Sequence, residues 1–118
     1  MTPLERERRF YVMQRIGCIP CRRRGNYGQP ADVHHPNLGG HAGQVRLGDD
    51  INYSACEWHH RGQPLPNTTA DACRARLGPS RAKESNAYRE EFGTEEELLA
   101  EQERAIENYE RNFVGSAA

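Results

Sequence analysis

Two short spacings constrain this chain more than anything else in it. Cys18 and Cys21 form C-x2-C, Cys56 and His59 form C-x2-H, and 34 residues separate the two halves. Zinc takes four tetrahedral nitrogen and sulfur ligands, and Cys3His is a common structural set. In each half a turn aims two side chains at one ion, so an ion shared by both halves closes the loop between them. The competing readings of Cys18 and Cys21 alone are a pair of buried thiols or a redox pair. A redox C-x-x-C belongs in a thioredoxin-like βαβ context, which this sequence does not offer. Cys73 lies outside both halves and reads as a small buried hydrophobe.

The chain needs such a staple. It has 118 residues, only 36% of them hydrophobic, with a mean hydropathy of -0.96. That composition fits one small domain with limited apolar burial, in which a metal or disulfides supply the missing stability. The start, MTPLERERRF, is charged and lacks the apolar centre of a secretory signal. No run of about 18 apolar residues marks a membrane span. An intracellular location follows as the expectation, and there a C-x-x-C pair binds metal rather than forming a disulfide. The net charge of -1 hides an asymmetry: residues 1–82 carry 12 Lys+Arg against 7 Asp+Glu, while residues 83–118 carry 4 against 10. A basic front holding every histidine is what a polyanion-binding region looks like, although a chance split between two solvated faces gives the same numbers.

The periodicities predict a mixed α and β chain. Residues 3–16 read as a helix or a helix-to-strand entry, and 18–30 as a turn-forming stretch rich in Gly, Pro and Arg. Short strands are expected at 31–35 and 51–56, separated by a glycine-rich loop at 36–50. EWHHRG, residues 57–62, begins a short helix or turn, and a helical turn is expected over 70–77. Residues 80–93 read as a helix with Ser80 as N-cap and Gly93 after its end. Residues 94–113 form the clearest helix, with a Thr94–Glu97 capping box. Its stripe of Leu98, Leu99, Ile106, Tyr109 and Phe113 is interrupted by the polar Gln102. These tail helices suggest packing rather than chemistry.

All five histidines, His34, His35, His41, His59 and His60, fall between residues 34 and 60. Adjacent side chains point to opposite faces of a strand and about 100° apart on a helix. Neither His34/His35 nor His59/His60 can therefore serve one ion in the same way. For the second pair, His59 closes the knuckle and His60 faces another site; C-x3-H spacing through His60 is the alternative register. For the first pair, one histidine holds an ion while the other moves protons, a role that suits a group titrating near neutral pH.

DVHHPNLGG followed by INYSACEWHHRG resembles an HNH nuclease, a ββα-metal fold. With CIPCRRRG, LGPSRAK and FGTEEELLAEQ added, residues 16–103 look like the bacteriophage Ref family of recombination-enhancement nucleases, which act with RecA filaments. The resemblance implies a small α+β fold: a lead at 1–15, a zinc-stabilised HNH core at 16–78, a C-terminal helical extension at 79–113 and a frayed tail at 114–118. It implies DNA endonuclease activity in the cytoplasm of a bacterial host, with DNA and RecA as partners. Zn2+ would be structural, and a divalent ion such as Mg2+, or Mn2+, Zn2+ or Ni2+, catalytic. By position, His35 is the general base, His34 and His60 hold the catalytic ion, and Asn52 orients the base. His41 and Asp50 are candidates for further metal or substrate contacts. Arg22, Arg23, Arg24, Arg46 and Arg61 flank these motifs and are candidate phosphate contacts. A catalytically inactive zinc module binding DNA or a recombination protein is the alternative; His35 discriminates, since a binding module has no use for it.

Overall fold

The computed structural model describes residues 2–34 and 52–114, with side chains described as far as residue 112. The fold is a mostly helical α+β arrangement built around one two-stranded sheet. Helix α1 spans Pro3–Ile16, α2 Ile19–Arg23, strand β1 Asp32–His34, strand β2 Tyr53–Ala55, α3 Glu57–Arg61, α4 Ala70–Leu77, α5 Ser85–Phe92 and α6 Glu95–Tyr109, which runs on into a π-helical turn, Glu110–Val114. The strands pair antiparallel with Asp32 opposite Ala55, Val33 opposite Ser54 and His34 opposite Tyr53. That register places His34, at the end of β1, directly opposite Tyr53, the first residue of β2. Among the described residues, no helix is long and apolar enough to cross a membrane.

Residues 3–16 are helical throughout. Thr2 and Glu5 form a capping box at the start of α1, and Gly17 ends it at φ 84°. A Cβ on Gly17 would lie 2.8 Å from the Gln29 carbonyl oxygen, so the exit from α1 requires glycine. The 18–30 stretch holds a short helix, α2, that a turn-rich composition conceals. The helix expected from residue 80 begins instead at Ser85, after Glu84. Ser80 caps the preceding turn: its fully buried hydroxyl accepts from the Lys83 backbone N–H at 3.1 Å. The Thr94–Glu97 capping box forms as expected.

Two apolar clusters hold these elements. One gathers Val12, Met13 and Ile16 of α1, Tyr53 and Ala55 of β2, Tyr88 and Phe92 of α5, and Leu98 and Ile106 of α6. The other surrounds the cysteines with Trp58 and Leu77. Gln102, the polar break in the α6 stripe, is fully buried, and its Oε1 accepts from the Ser54 backbone N–H at 2.8 Å. A two-stranded sheet leaves strand N–H groups unpaired, and a buried one left so costs about 1–3 kcal/mol. The amide in the stripe is therefore matched to the strand edge beneath it.

Candidate metal centres

Each cysteine knuckle is a helix start. Cys18 is the N-cap of α2 and Cys56 the N-cap of α3; each sulfur accepts a hydrogen bond from the backbone N–H three residues on, Cys21 at 3.4 Å and His59 at 3.5 Å. The residue three after an N-cap lies beside it on the first turn. C-x2-C and C-x2-H thus bring two donors together by local backbone geometry alone. β2 runs directly into α3 and packs against α2, which joins the two halves.

The ligand atoms of Cys18, Cys21, Cys56 and His59 lie within 4.8 Å of one another, and all four residues are fully buried. His59 Nδ1 stands 3.5 Å from Cys18 Sγ, 3.5 Å from Cys21 Sγ and 3.3 Å from Cys56 Sγ; Cys21 Sγ and Cys56 Sγ are 3.8 Å apart. Zinc bonds of about 2.3 Å to sulfur and 2.0–2.1 Å to nitrogen give tetrahedral edges of roughly 3.6–3.8 Å. The donor set fits that ion. His59 Nε2–H donates to the Leu77 carbonyl at 2.7 Å, which turns the Nδ1 lone pair toward the sulfurs, as metal-bound histidines require. Phe92 packs edge-on against the ring at 5.0 Å. Burial pushes the Cys18 thiol well above its ordinary range, and the neighbouring Cys21 and Cys56 add to the shift. Cys56 moves the other way, because the Cys18 and Cys21 thiols point at its sulfur. Three sulfurs and one imidazole nitrogen held this close could hold a metal ion such as zinc.

His60 follows His59 in α3 and faces elsewhere. Its Nε2 lies 3.2 Å from His34 Nδ1, with the rings 4.8 Å apart and inclined at 67°. Two ring nitrogens at that distance share one proton or one cation. Nitrogen–metal bonds of about 2.0–2.1 Å give nitrogen–nitrogen edges of roughly 2.9–3.4 Å between right-angled and tetrahedral geometry, so this pair also fits a metal. Burial, and then the neighbouring His34, lower the His60 pKa to about 4, leaving a neutral imidazole at physiological pH.

A carboxylate from the tail helices reaches this pair. Glu95, in the first turn of α6, brings Oε2 to 3.4 Å from His34 Nε2, and its Oε1 accepts from Arg81 Nε at 2.6 Å. The first contact is close but poorly aligned: His34 Nε2 and Glu95 Oε2 are both buried without a hydrogen bond. Burial opposes ionisation of Glu95, but His34 and Arg81 outweigh it and hold its pKa down at about 2. The sequence reading missed Glu95 because it lies 61 residues from His34 in a segment read as packing; the acidic first turn after Thr94 was visible only as a helix start.

The other expected residues that the structure describes are dispersed. Asn52 is fully buried, and its side-chain carbonyl accepts from Arg9 Nη2 at 3.0 Å. Arg9, itself buried, also bonds the Asn52 backbone carbonyl and pairs with Glu103 at 2.7 Å. His35, His41, Arg46 and Asp50 lie outside the described residues. Arg23 pairs with Glu101 at 2.9 Å, and Arg24 grips Glu91 with two nitrogens, one at 2.7 Å. Arg22 lies over the exposed Tyr27 ring, 4.9 Å from its centroid, and Arg61 is exposed at the end of α3. Cys73 is buried as expected, but its sulfur also contacts the Thr68 hydroxyl at 3.1 Å.

Among protein families, the model for recombination enhancement, RecA-dependent nuclease, matches residues 2–107. A search of curated proteins finds no significant match.

Proposed function

This chain belongs to the recombination enhancement, RecA-dependent nuclease family, and on that premise we propose that it is an HNH-type, divalent-metal-dependent DNA endonuclease. The observation that carries the reading is the His34–His60 pair, 3.2 Å apart beside a closed Cys3His knuckle. Strand β1, strand β2 and helix α3 are the ββα elements such a site needs. The knuckle holds structural zinc. It fixes the start of α3, and so the position of His60, without using that histidine itself.

His34 and His60 would hold the catalytic divalent ion, which would supply Lewis-acid polarisation of the scissile phosphate and charge stabilisation of the leaving oxygen. His35, the residue after His34 in the sequence, takes the proton of the attacking water as that oxygen bonds to phosphorus and the phosphodiester P–O bond breaks. Imidazole ligands suit Mn2+, Zn2+ or Ni2+ as well as Mg2+. Asn52, buried and held by Arg9, is a positioning residue for the segment that enters β2. His41 and Asp50 remain candidates for further metal or substrate contacts. Arg22 and Arg61 suit phosphate contact better than Arg23 and Arg24, whose guanidinium groups are engaged by carboxylates; Arg46, outside the described residues, stays a candidate on its sequence position. DNA, presented on RecA filaments, is the substrate that family membership supports.

The test is cleavage of single-stranded, double-stranded and displacement-loop DNA, with and without RecA, across these metals. Cleavage by wild type that is lost in His60→Ala, with folding and zinc content intact, is the expected result. Failure of wild type to cleave any of these substrates while still binding them would favour a non-catalytic zinc module.

A further inference from the structure

Beside the histidine pair lies a cavity of about 200 Å³ lined by Arg81, Ser85, Tyr88, Arg89, Gly93 and Glu95. We infer that it is a phosphate subsite, receiving a phosphodiester of the DNA strand next to the one being cut. The inference rests on the endonuclease reading above and adds residues from the C-terminal helices to it.

The cavity is tied to the histidine pair along three routes. The Arg81 backbone N–H donates to the His59 carbonyl at 2.8 Å, which fixes Arg81 to the helix carrying His60. The Arg81 side chain bonds Glu95, and Glu95 reaches His34. The Tyr88 hydroxyl meets the Tyr53 hydroxyl at 2.9 Å, and the Tyr53 ring packs edge-on against His34 at 5.0 Å. One layer of side chains therefore separates the cavity from the pair.

Its chemistry selects a monoanion. Glu95 is shared between Arg81 and His34, whereas Arg89, exposed on α5, has no ion pair among the described residues. Arg8, Arg9, Arg23, Arg24, Arg74 and Arg81 each have a carboxylate partner. Among the described residues, two guanidinium groups stand against one carboxylate, with a serine hydroxyl on the rim, so the described lining presents one uncompensated positive charge. Its volume is below the roughly 300–1,000 Å³ of ordinary small-molecule sites, which suits a phosphodiester group better than a whole nucleotide ligand.

The experiment titrates a fluorescently labelled single-stranded oligonucleotide with the zinc-loaded full chain, without catalytic metal, over a range of salt concentrations. Arg89→Gln is expected to weaken binding about three- to tenfold and to reduce the slope of log K against log salt by about 0.7, the value for one phosphate contact on a single strand. Arg8→Gln, on α1 and paired with Glu110, serves as the charge control and leaves both unchanged. Arg89→Gln with wild-type affinity and slope overturns the subsite, and if the wild type still cleaves DNA the endonuclease reading stands. Wild-type protein that neither binds nor cleaves DNA overturns both. Loss of inorganic-phosphate binding in Arg89→Gln with DNA affinity unchanged reassigns the cavity to free phosphate and also overturns the proposal.

Discussion

The Cys3His group and the His34–His60 pair each take one histidine from the same short helix, α3, yet they differ in donor number and in burial. The first has four donors, all fully buried, with the His59 ring locked by Leu77 and Phe92. The second has two donors, His34 buried and His60 only partly so, and both flanking ring nitrogens, His34 Nε2 and His60 Nδ1, are without a hydrogen bond. A zinc ion with four protein ligands has no position left for substrate, whereas an ion held by two has several. Closure marks a structural site and openness a working one. On the proposed reading, two consecutive histidines divide these duties because a helix turns about 100° between them.

The largest effect should come from breaking the closed site. Cys21→Ser, or removal of zinc by a strong chelator, is expected to unfold the region around α2 and α3. Zinc binding contributes about 10–16 kcal/mol in small zinc domains, which matches or exceeds the roughly 5–15 kcal/mol total stability of an ordinary domain. A thermal melt monitored by circular dichroism reads this directly; a melting temperature unmoved by chelation would place the stability elsewhere.

Breaking the open site should do the reverse. His60→Ala is expected to lower cleavage about 10³-fold, since metal assistance is worth several kcal/mol and each 1.36 kcal/mol is tenfold in rate. Its melting temperature should stay near that of wild type. His35→Ala should cost about 10²–10⁴-fold, as for loss of a general base, with metal binding retained. Equal losses of stability and activity in either variant would erase the distinction between the two sites.

The smallest effect concerns Arg24, whose place beside the closed site argues for bracing rather than DNA contact. Hydrogen bonding from Arg24 holds the Glu91 carboxyl below its usual range. A depressed carboxyl contributes stability above its unfolded pKa and loses it as pH falls through the folded value. Glu91→Gln should therefore destabilise by no more than about 1 kcal/mol near neutral pH, and the gap from wild type should narrow under acid. Arg24→Ala should cost a similar amount while leaving the salt dependence of DNA binding unchanged. A reduced salt slope in that variant would return Arg24 to the phosphate contacts.

The knuckle was legible in the sequence because its geometry is local: an N-cap cysteine and the residue three positions on meet wherever a helix starts. The separation of His59 from His60 was legible for the same reason, and the capping box of α6 likewise. What the sequence could not show depends on distant pairing. Glu95 meets His34, and Arg9 meets Asn52, only because α6 and α1 pack on the sheet; nothing near either residue announces its partner. Gln102 breaks the apolar stripe of α6, and only the distant Ser54 N–H that it accepts from explains the amide. Ser80 has the right side chain for a cap but caps a turn, because the chain needs another turn before Ser85 can enter α5.

Metal counting tests the central claim most directly. Zinc per chain is measured by mass spectrometry after dialysis, and Mn2+ binding to the zinc-loaded protein by electron paramagnetic resonance, in wild type and in His60→Ala. One tightly held zinc in both proteins, with a second, weaker ion bound by wild type alone, is the predicted result. Loss of the zinc in His60→Ala, or no second ion in wild type, would contradict the division between a closed structural site and an open working one.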